Sequence, residues 1–244
     1  MEYDEEVIEP FIRYKQDEIS PEEEIKRKIR KGFIYKVFGI VAYQIILVFI
    51  MVNLAFSIKY LHNWILSSRK MYYFTFIVFM TCLILPIFKP SLYRTVPLNY
   101  IILTIFTISY GWWIAAFTLM FTKTSVLFVL FLTIVTVTSL TVYAFITKSD
   151  FTGLGGFLST ALIVLIVASI LELIFPMPLL NLIISYFSLM IFSLYLIYDV
   201  QLVAGDKQKK FSEDDYILAA LNIYLDIIGI FIQLLKFFGT RNSN

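Results

Sequence analysis

Thiol and imidazole are almost absent from this chain. One cysteine, Cys82, and one histidine, His62, among 244 residues exclude an intramolecular disulfide and any zinc site built on cysteines or on more than one histidine. Cys82 lies in an apolar stretch and reads as a small packing hydrophobe. His62 falls between two apolar stretches and reads as a solvated loop residue. Charge is scarce as well, at 16% of residues, and no segment has the composition of a soluble domain. No low-complexity tract and no internal repeat stands out. The first 30 residues are charged rather than apolar, which argues against a signal peptide, and no lipidation motif is expected.

What the chain has in abundance is hydrocarbon. It is 59% hydrophobic and 18% aromatic, against roughly 45–50% apolar in ordinary soluble domains, with a mean hydropathy of +0.82. A soluble fold of this length has no interior large enough for so much apolar side chain, so most of it must meet lipid. Seven apolar stretches, near 33–57, 71–88, 98–121, 125–147, 154–175, 179–203 and 216–238, each approach the roughly 20 residues that cross a bilayer. Pro86, Pro90 and Pro97 punctuate the link after the second, and Pro176 and Pro178 the turn after the fifth. The expected fold is all-α, a polytopic membrane protein with a seven-helix bundle.

The charges cluster at the N-terminus. Ten of the eighteen acidic residues precede residue 25, and a run of bases follows. Residues 1–31 therefore read as an acidic-then-basic cytosolic tail, with 1–19 polar and disordered, and residues 32–240 as the membrane domain. Ser20-Pro21-Glu22-Glu23 has the form of a helix start, and Lys26, Arg27, Lys28, Arg30 and Lys31 form a positive-inside flank that can also meet anionic lipid. With the N-terminus in the cytosol, 14 of the 20 basic residues fall inside, among them Lys89, Arg94, Lys148, Lys207 and Lys209. The last stretch is open to two readings, a full span or a re-entrant segment.

Polar residues inside hydrocarbon are costly and usually functional. In the last stretch Ala219, Asn222, Asp226, Gly229, Gln233 and Lys236 recur at spacings of three and four, which aligns them on one helix face. Such a seam must meet protein or water, so this helix is expected to be central. Asp199 closes the preceding stretch. Counted from the connecting loop, the two carboxyls differ in depth by roughly 7–8 Å at 1.5 Å per residue. If tilt or loop boundaries bring them together, they cannot both ionise comfortably, and the pair titrates in coupled steps. That chemistry makes a pH-dependent switch, or a weak cation site when both are deprotonated. Calcium is the natural ion for such oxygens, though it prefers six or more. The competing reading is a structural contact of neutral acids with Tyr198, Tyr224 or Asn222. Glu172 can line an entrance from the non-cytosolic side, with Asn222 and Gln233 along the pathway. Asp150 or Thr152 is expected to cap the fifth helix. Thr133, Thr136, Thr138, Ser139 and Thr141 read as helix-packing residues.

Three segments carry a resemblance. These are Tyr143-Ala144-Phe145-Ile146-Thr147-Lys148-Ser149-Asp150-Phe151-Thr152, Ile197-Tyr198-Asp199-Val200-Gln201-Leu202, and the run from Asp214-Asp215-Tyr216 through Asn222-Ile223-Tyr224-Leu225-Asp226-Ile227-Ile228. They resemble the Bax-inhibitor (transmembrane Bax-inhibitor-motif) family, in its Lifeguard-type branch, and the layout of spans agrees over about residues 30–240. The resemblance implies six helices around the last one, residence in endoplasmic reticulum, Golgi or plasma membrane, calcium leak, and restraint of cell death. The family's two gating aspartates carry over to Asp199 and Asp226. Val200 stands where threonine is common and Gly229 where asparagine is. Bacterial relatives pair the aspartates with a base in the second span, whereas residues 71–88 hold none, so gating here is expected to rest on the carboxyls alone.

The expected function is thus a pH-modulated calcium leak channel, with calcium permeant or weakly bound at Asp199 and Asp226. The alternative is a non-conducting regulator of cell death that works through membrane-protein partners. No enzyme, cofactor or nucleic-acid partner is expected. An intramembrane aspartyl protease needs Gly-x-Gly-Asp at its second aspartate, where this chain has Tyr224-Leu225-Asp226.

Overall fold

The computed structural model describes residues 20–207 and 210–242. The expected acidic tail 1–19 and Lys209 lie outside the described residues. Among the described residues there are eight α-helices: α1 Pro21–Ser57, α2 Lys59–Ser67, α3 Arg69–Phe88, α4 Leu98–Thr118, α5 Lys123–Ile146, α6 Gly155–Ile174, α7 Pro178–Ala204 and α8 Tyr216–Phe238. All but α2 are long and apolar enough to cross a membrane.

The first helix starts as its sequence dictates. Ser20 Oγ accepts from Glu23 N at 3.2 Å while Glu23 Oε2 accepts from Ser20 N at 3.3 Å. Pro21 and three glutamates in the first turn complete the start, setting negative charge at the positive end of the helix dipole. The basic flank and the first span, read separately above, are one unbroken helix of 37 residues. Gly32 costs only about 1 kcal/mol relative to alanine in a helix interior, too little to divide two strong helical segments. At 1.5 Å per residue α1 is roughly 55 Å long, well beyond the roughly 30 Å hydrocarbon core.

The link around His62 is helix α2 rather than a loop, and His62 is half-buried in it. Ile58 turns the chain with an extended backbone. Ile65 then packs against Ala55, Trp112, Ala115, Ala116 and Leu119, and Trp64 meets Trp112 edge-on at 4.8 Å. Helix α3 contains Pro86, which cannot give an N–H to the carbonyl of Cys82 one turn before it. The Tyr93 hydroxyl, from the short 3-10 turn Pro90–Tyr93, donates to that carbonyl instead. Tyr93 is 1% exposed, and burial pushes its hydroxyl above the ordinary tyrosine range, so it stays a donor. Cys82 itself is a buried core residue. Pro97, joined to Val96 by a cis bond, precedes α4.

The last helix is the most buried span. Of its apolar window 72% is buried, against 61% for α4 and 6% for α6. It packs on α1, α4, α5 and α7, while α6 packs chiefly on α7. At one end of the bundle Asn99 Nδ2 donates to the Tyr216 hydroxyl at 2.7 Å, Lys36 sits over the Tyr216 ring at 3.2 Å, and Arg94 pairs with Asp215 at 2.8 Å. At the other end, past Phe238, Thr240 O accepts from Thr122 N at 2.8 Å and Met120 O from Asn242 N at 3.0 Å.

Helix α7 ends at Gly205, whose φ of 74° is left-handed. Arg30 from α1 donates there to the carbonyls of Leu202, Ala204 (3.2 Å) and Phe211 (2.8 Å), supplying donors that the end of a helix lacks. A Cβ at Gly205 would run into the Arg30 guanidinium.

Two outcomes test this scaffold. Tyr93→Phe leaves the Cys82 carbonyl unsatisfied and should cost about 1–3 kcal/mol, seen as a lower unfolding midpoint in detergent. Gly205→Ala forces alanine into a left-handed conformation at about 1–2 kcal/mol and should also displace Arg30, so its midpoint should fall too. Unchanged midpoints would contradict both assignments.

Candidate functional site

Asp199 lies five residues from the end of α7, and Asp226 ten residues into α8. They are 3% and 5% exposed. The two carboxyls face each other closely enough to interact side chain to side chain, and the Asn222 amide lies beside Asp199. The depth difference expected from residue counting is absorbed at the loop. With the aspartates level, α8 overhangs the end of α7 by five residues, about 7–8 Å.

Two close approaches set this pairing. Gly229, one turn past Asp226, lies under the Phe192 ring, where a Cβ would come within 2.6 Å of it; a glycine here lets α7 and α8 approach. Beside Asp199, the Tyr198 hydroxyl would sit 2.8 Å from a Cβ on Gly155, at the start of α6. Gln201, two residues past the aspartate, fixes the connection before α6. Its Oε1 accepts from Phe151 N at 2.8 Å, and its Nε2 donates to Ser149 O at 2.9 Å and Ala144 O at 3.4 Å.

One oxygen of each carboxyl, Asp199 Oδ1 and Asp226 Oδ2, has no hydrogen-bond partner among the described residues, and neither has Gln233 Oε1. All three residues line a cavity of about 600 Å³ between α4, α6, α7 and α8. Asn222 and Gly229 line it as well, so four of the six seam residues face it; Ala219 is buried in the core instead, and Lys236 does not line the cavity. No lysine, arginine or histidine is among the lining residues, in keeping with the lack of a base in residues 71–88.

Other expected residues lie elsewhere. Glu172 does not line the cavity, and its Oε1 accepts from the Asn181 side chain across the α6–α7 turn. Tyr224 faces away from the pair and stands edge-on to Phe106 and Tyr110, each at 6.2 Å. Asp150 caps no helix. Its Oδ1 accepts from Thr152 N at 2.8 Å and Thr152 Oγ1 at 2.6 Å, a local turn of the kind short polar side chains make, and α6 starts three residues later without a side-chain cap. Among the hydroxyl residues of α5 expected to pack between helices, Thr133 is buried and bonds back to Val129 O at 2.8 Å, and Ser139 to Val135 O at 2.8 Å. The cavity walls from Tyr110, Leu162, Ser169, Ser188 and Tyr195 were not signalled by the sequence, because no charge or periodic polar seam marks their faces.

Comparison with known proteins adds an independent line. Residues 30–243 match the family described as Inhibitor of apoptosis-promoting Bax1. The chain is 31% identical to Protein lifeguard 3 of Homo sapiens over 230 residues, covering 93% of this chain and 74% of the relative. The Mus musculus protein of the same name gives the same identity and coverage. Protein LIFEGUARD 4 of Arabidopsis thaliana is 32% identical over 216 residues, covering 86% of this chain and 85% of the relative. With its seven potential spans and this match over most of its length, the chain belongs to the Bax-inhibitor family of multi-pass membrane proteins, in its Lifeguard branch.

Proposed function

We propose that this protein is a pH-modulated calcium leak channel that lowers store calcium and restrains apoptosis, gated by Asp199 and Asp226. The observation that carries the reading is the pair itself: two buried carboxyls side by side, each with an oxygen unpartnered among the described residues, lining a cavity that has no base among its lining residues. Two desolvated carboxyls in close contact favour sharing one proton. With that proton the pair is a closed contact. Without it two charges face each other, and they must separate or take up a cation. The free oxygens and the Asn222 amide supply fewer ligands than the six to eight that calcium prefers, which suits passage better than storage. The family match, named for inhibition of apoptosis-promoting Bax1, supports the link to cell death.

The protein is placed in endoplasmic reticulum or Golgi membrane, or in the plasma membrane, with its N-terminus in the cytosol. In this reading the last helix crosses fully, which is supported by hydrogen bonds that tie its two ends to opposite ends of the bundle. A second reading, a regulator that does not conduct, draws on α1. Its first turns carry Ile25 and Ile29, 57% and 52% exposed, amid bases, and offer a surface to protein partners.

Calcium efflux from proteoliposomes at pH 6 and pH 8 tests the gate. Wild type should pass calcium at a rate that changes between the two, and Asp199→Asn or Asp226→Asn should abolish that change. A folded wild type that passes none at either pH would leave the regulator in place of the channel. Topology is tested separately in a Cys82→Ala background. In sealed microsomes an impermeant maleimide should label Lys26→Cys at once and Thr240→Cys only after permeabilisation. Immediate labelling of both would make the last helix re-entrant.

A further inference from the structure

The cavity beside the aspartates is much larger than a calcium ion requires, and most of its wall is hydrocarbon. Its volume of about 600 Å³ lies within the roughly 300–1,000 Å³ of small-molecule pockets, which pair apolar walls with a few placed polar groups. Leu162, Ile166 and Ile170 from α6, Phe192 from α7, and Leu225 and Ile232 from α8 form that wall. Asp199 and Asp226 line it together with Tyr195 and Tyr198. Gln233 is seven residues further along α8, about 10 Å at 1.5 Å per residue.

The mouth can be located. Ile166 and Ile170 line the cavity yet are each 52% exposed. They belong to α6, a span with almost no burial of its own. The opening therefore lies on the bundle's flank, where the outward side chains are apolar and the surroundings are lipid. A solute reaching it from the hydrocarbon must itself be largely apolar.

The unpartnered atoms specify its polar end. Asp199 Oδ1, Asp226 Oδ2 and Gln233 Oε1 are acceptors on side chains more than nine-tenths buried, with no donor among the described residues. A buried acceptor left in this way is costly. The missing element is a donor with positive charge, since the lining holds carboxyls and no base. A carboxylate or phosphate would be repelled, and a neutral hydrocarbon would satisfy none of the three oxygens. An alkylammonium brings up to three N–H donors, stays protonated at neutral pH as lysine does with its pKa near 10.4, and gains from nearby tyrosine rings.

We propose that this cavity is a binding site for a hydrophobic amine, which enters from the lipid between α6 and α8, sets its ammonium on the Asp199–Asp226 pair and lays its apolar body along the α6 wall. The site stands whether or not the pair conducts calcium.

The test uses the full chain in lipid nanodiscs without calcium and equilibrium binding of radiolabelled 4-phenylbutylamine, with 4-phenylbutanol as its neutral counterpart. The amine should bind saturably at one per chain, at least tenfold more tightly than the alcohol. Asp199→Asn and Asp226→Asn should each weaken it at least tenfold. Ile166→Trp, a rim substitution that leaves both carboxyls in place and is accommodated at the lipid face, should weaken it similarly. Equal binding of amine and alcohol would overturn the proposal, and so would unchanged amine binding in folded Ile166→Trp. Because no flux is measured, failure here leaves the calcium reading standing, and a protein without calcium flux can still bind the amine.

Discussion

Two carboxyls that cannot comfortably both carry charge sit at the meeting of α7 and α8, the two helices that dominate this bundle. Moving a carboxylate out of water costs several kcal/mol even in relaxed protein surroundings, and placing a second beside it adds repulsion. The approach of Asp199 to Asp226 can persist only if the surrounding helices hold the residues together. The other features of the site serve that requirement. Gly229 admits the Phe192 ring so that α7 and α8 can close, Gln201 ties the neighbouring loop to α7, and Arg30 closes off the carbonyls at the end of α7.

Much of this was legible in the sequence because a bilayer imposes a simple rule: a polar group in an apolar run must have a protein reason. The seven spans, the helix start at Ser20 and the alignment of Asn222, Asp226, Gly229 and Gln233 all follow from hydropathy and helical spacing, and the cavity they line is where that seam points. The rule is silent on which apolar face meets another helix. In lipid an outward Ile163 and an inward Leu158 of α6 are chemically alike, yet one is 62% exposed and the other not at all. The walls supplied by Leu162 and Ile166 were therefore invisible. Local hydrogen bonding was misjudged for a related reason. Asp150 had the right residue type for a cap, but its carboxyl folds back on Thr152 before the helix begins. Tyr224 had the right spacing to partner the acids, but the ring contacts of Phe106 and Tyr110 hold it on the opposite face.

Hydrogen bonding by substitution recurs across the fold. The Tyr93 hydroxyl stands in for the N–H that Pro86 lacks, and the Arg30 guanidinium for the donors missing beyond Ala204. In both places a side chain distant in sequence completes a helix whose own backbone cannot. Such long-range completions explain how a proline and a helix end are tolerated in a setting where water is scarce.

The attachment of α8 at both ends constrains any opening movement. Asn99, Lys36 and Arg94 hold the region of Tyr216, and the strand-like pairing of Phe121 with Arg241 holds the segment past Phe238. A helix fastened at top and bottom cannot piston along its axis without breaking one set of ties. Helix α6, leaning chiefly on α7, carries no comparable anchorage to α8. The last helix is thus the fixed element of this assembly, and any separation of the two aspartates would have to come from α7 and α6 rather than from an axial slide of α8.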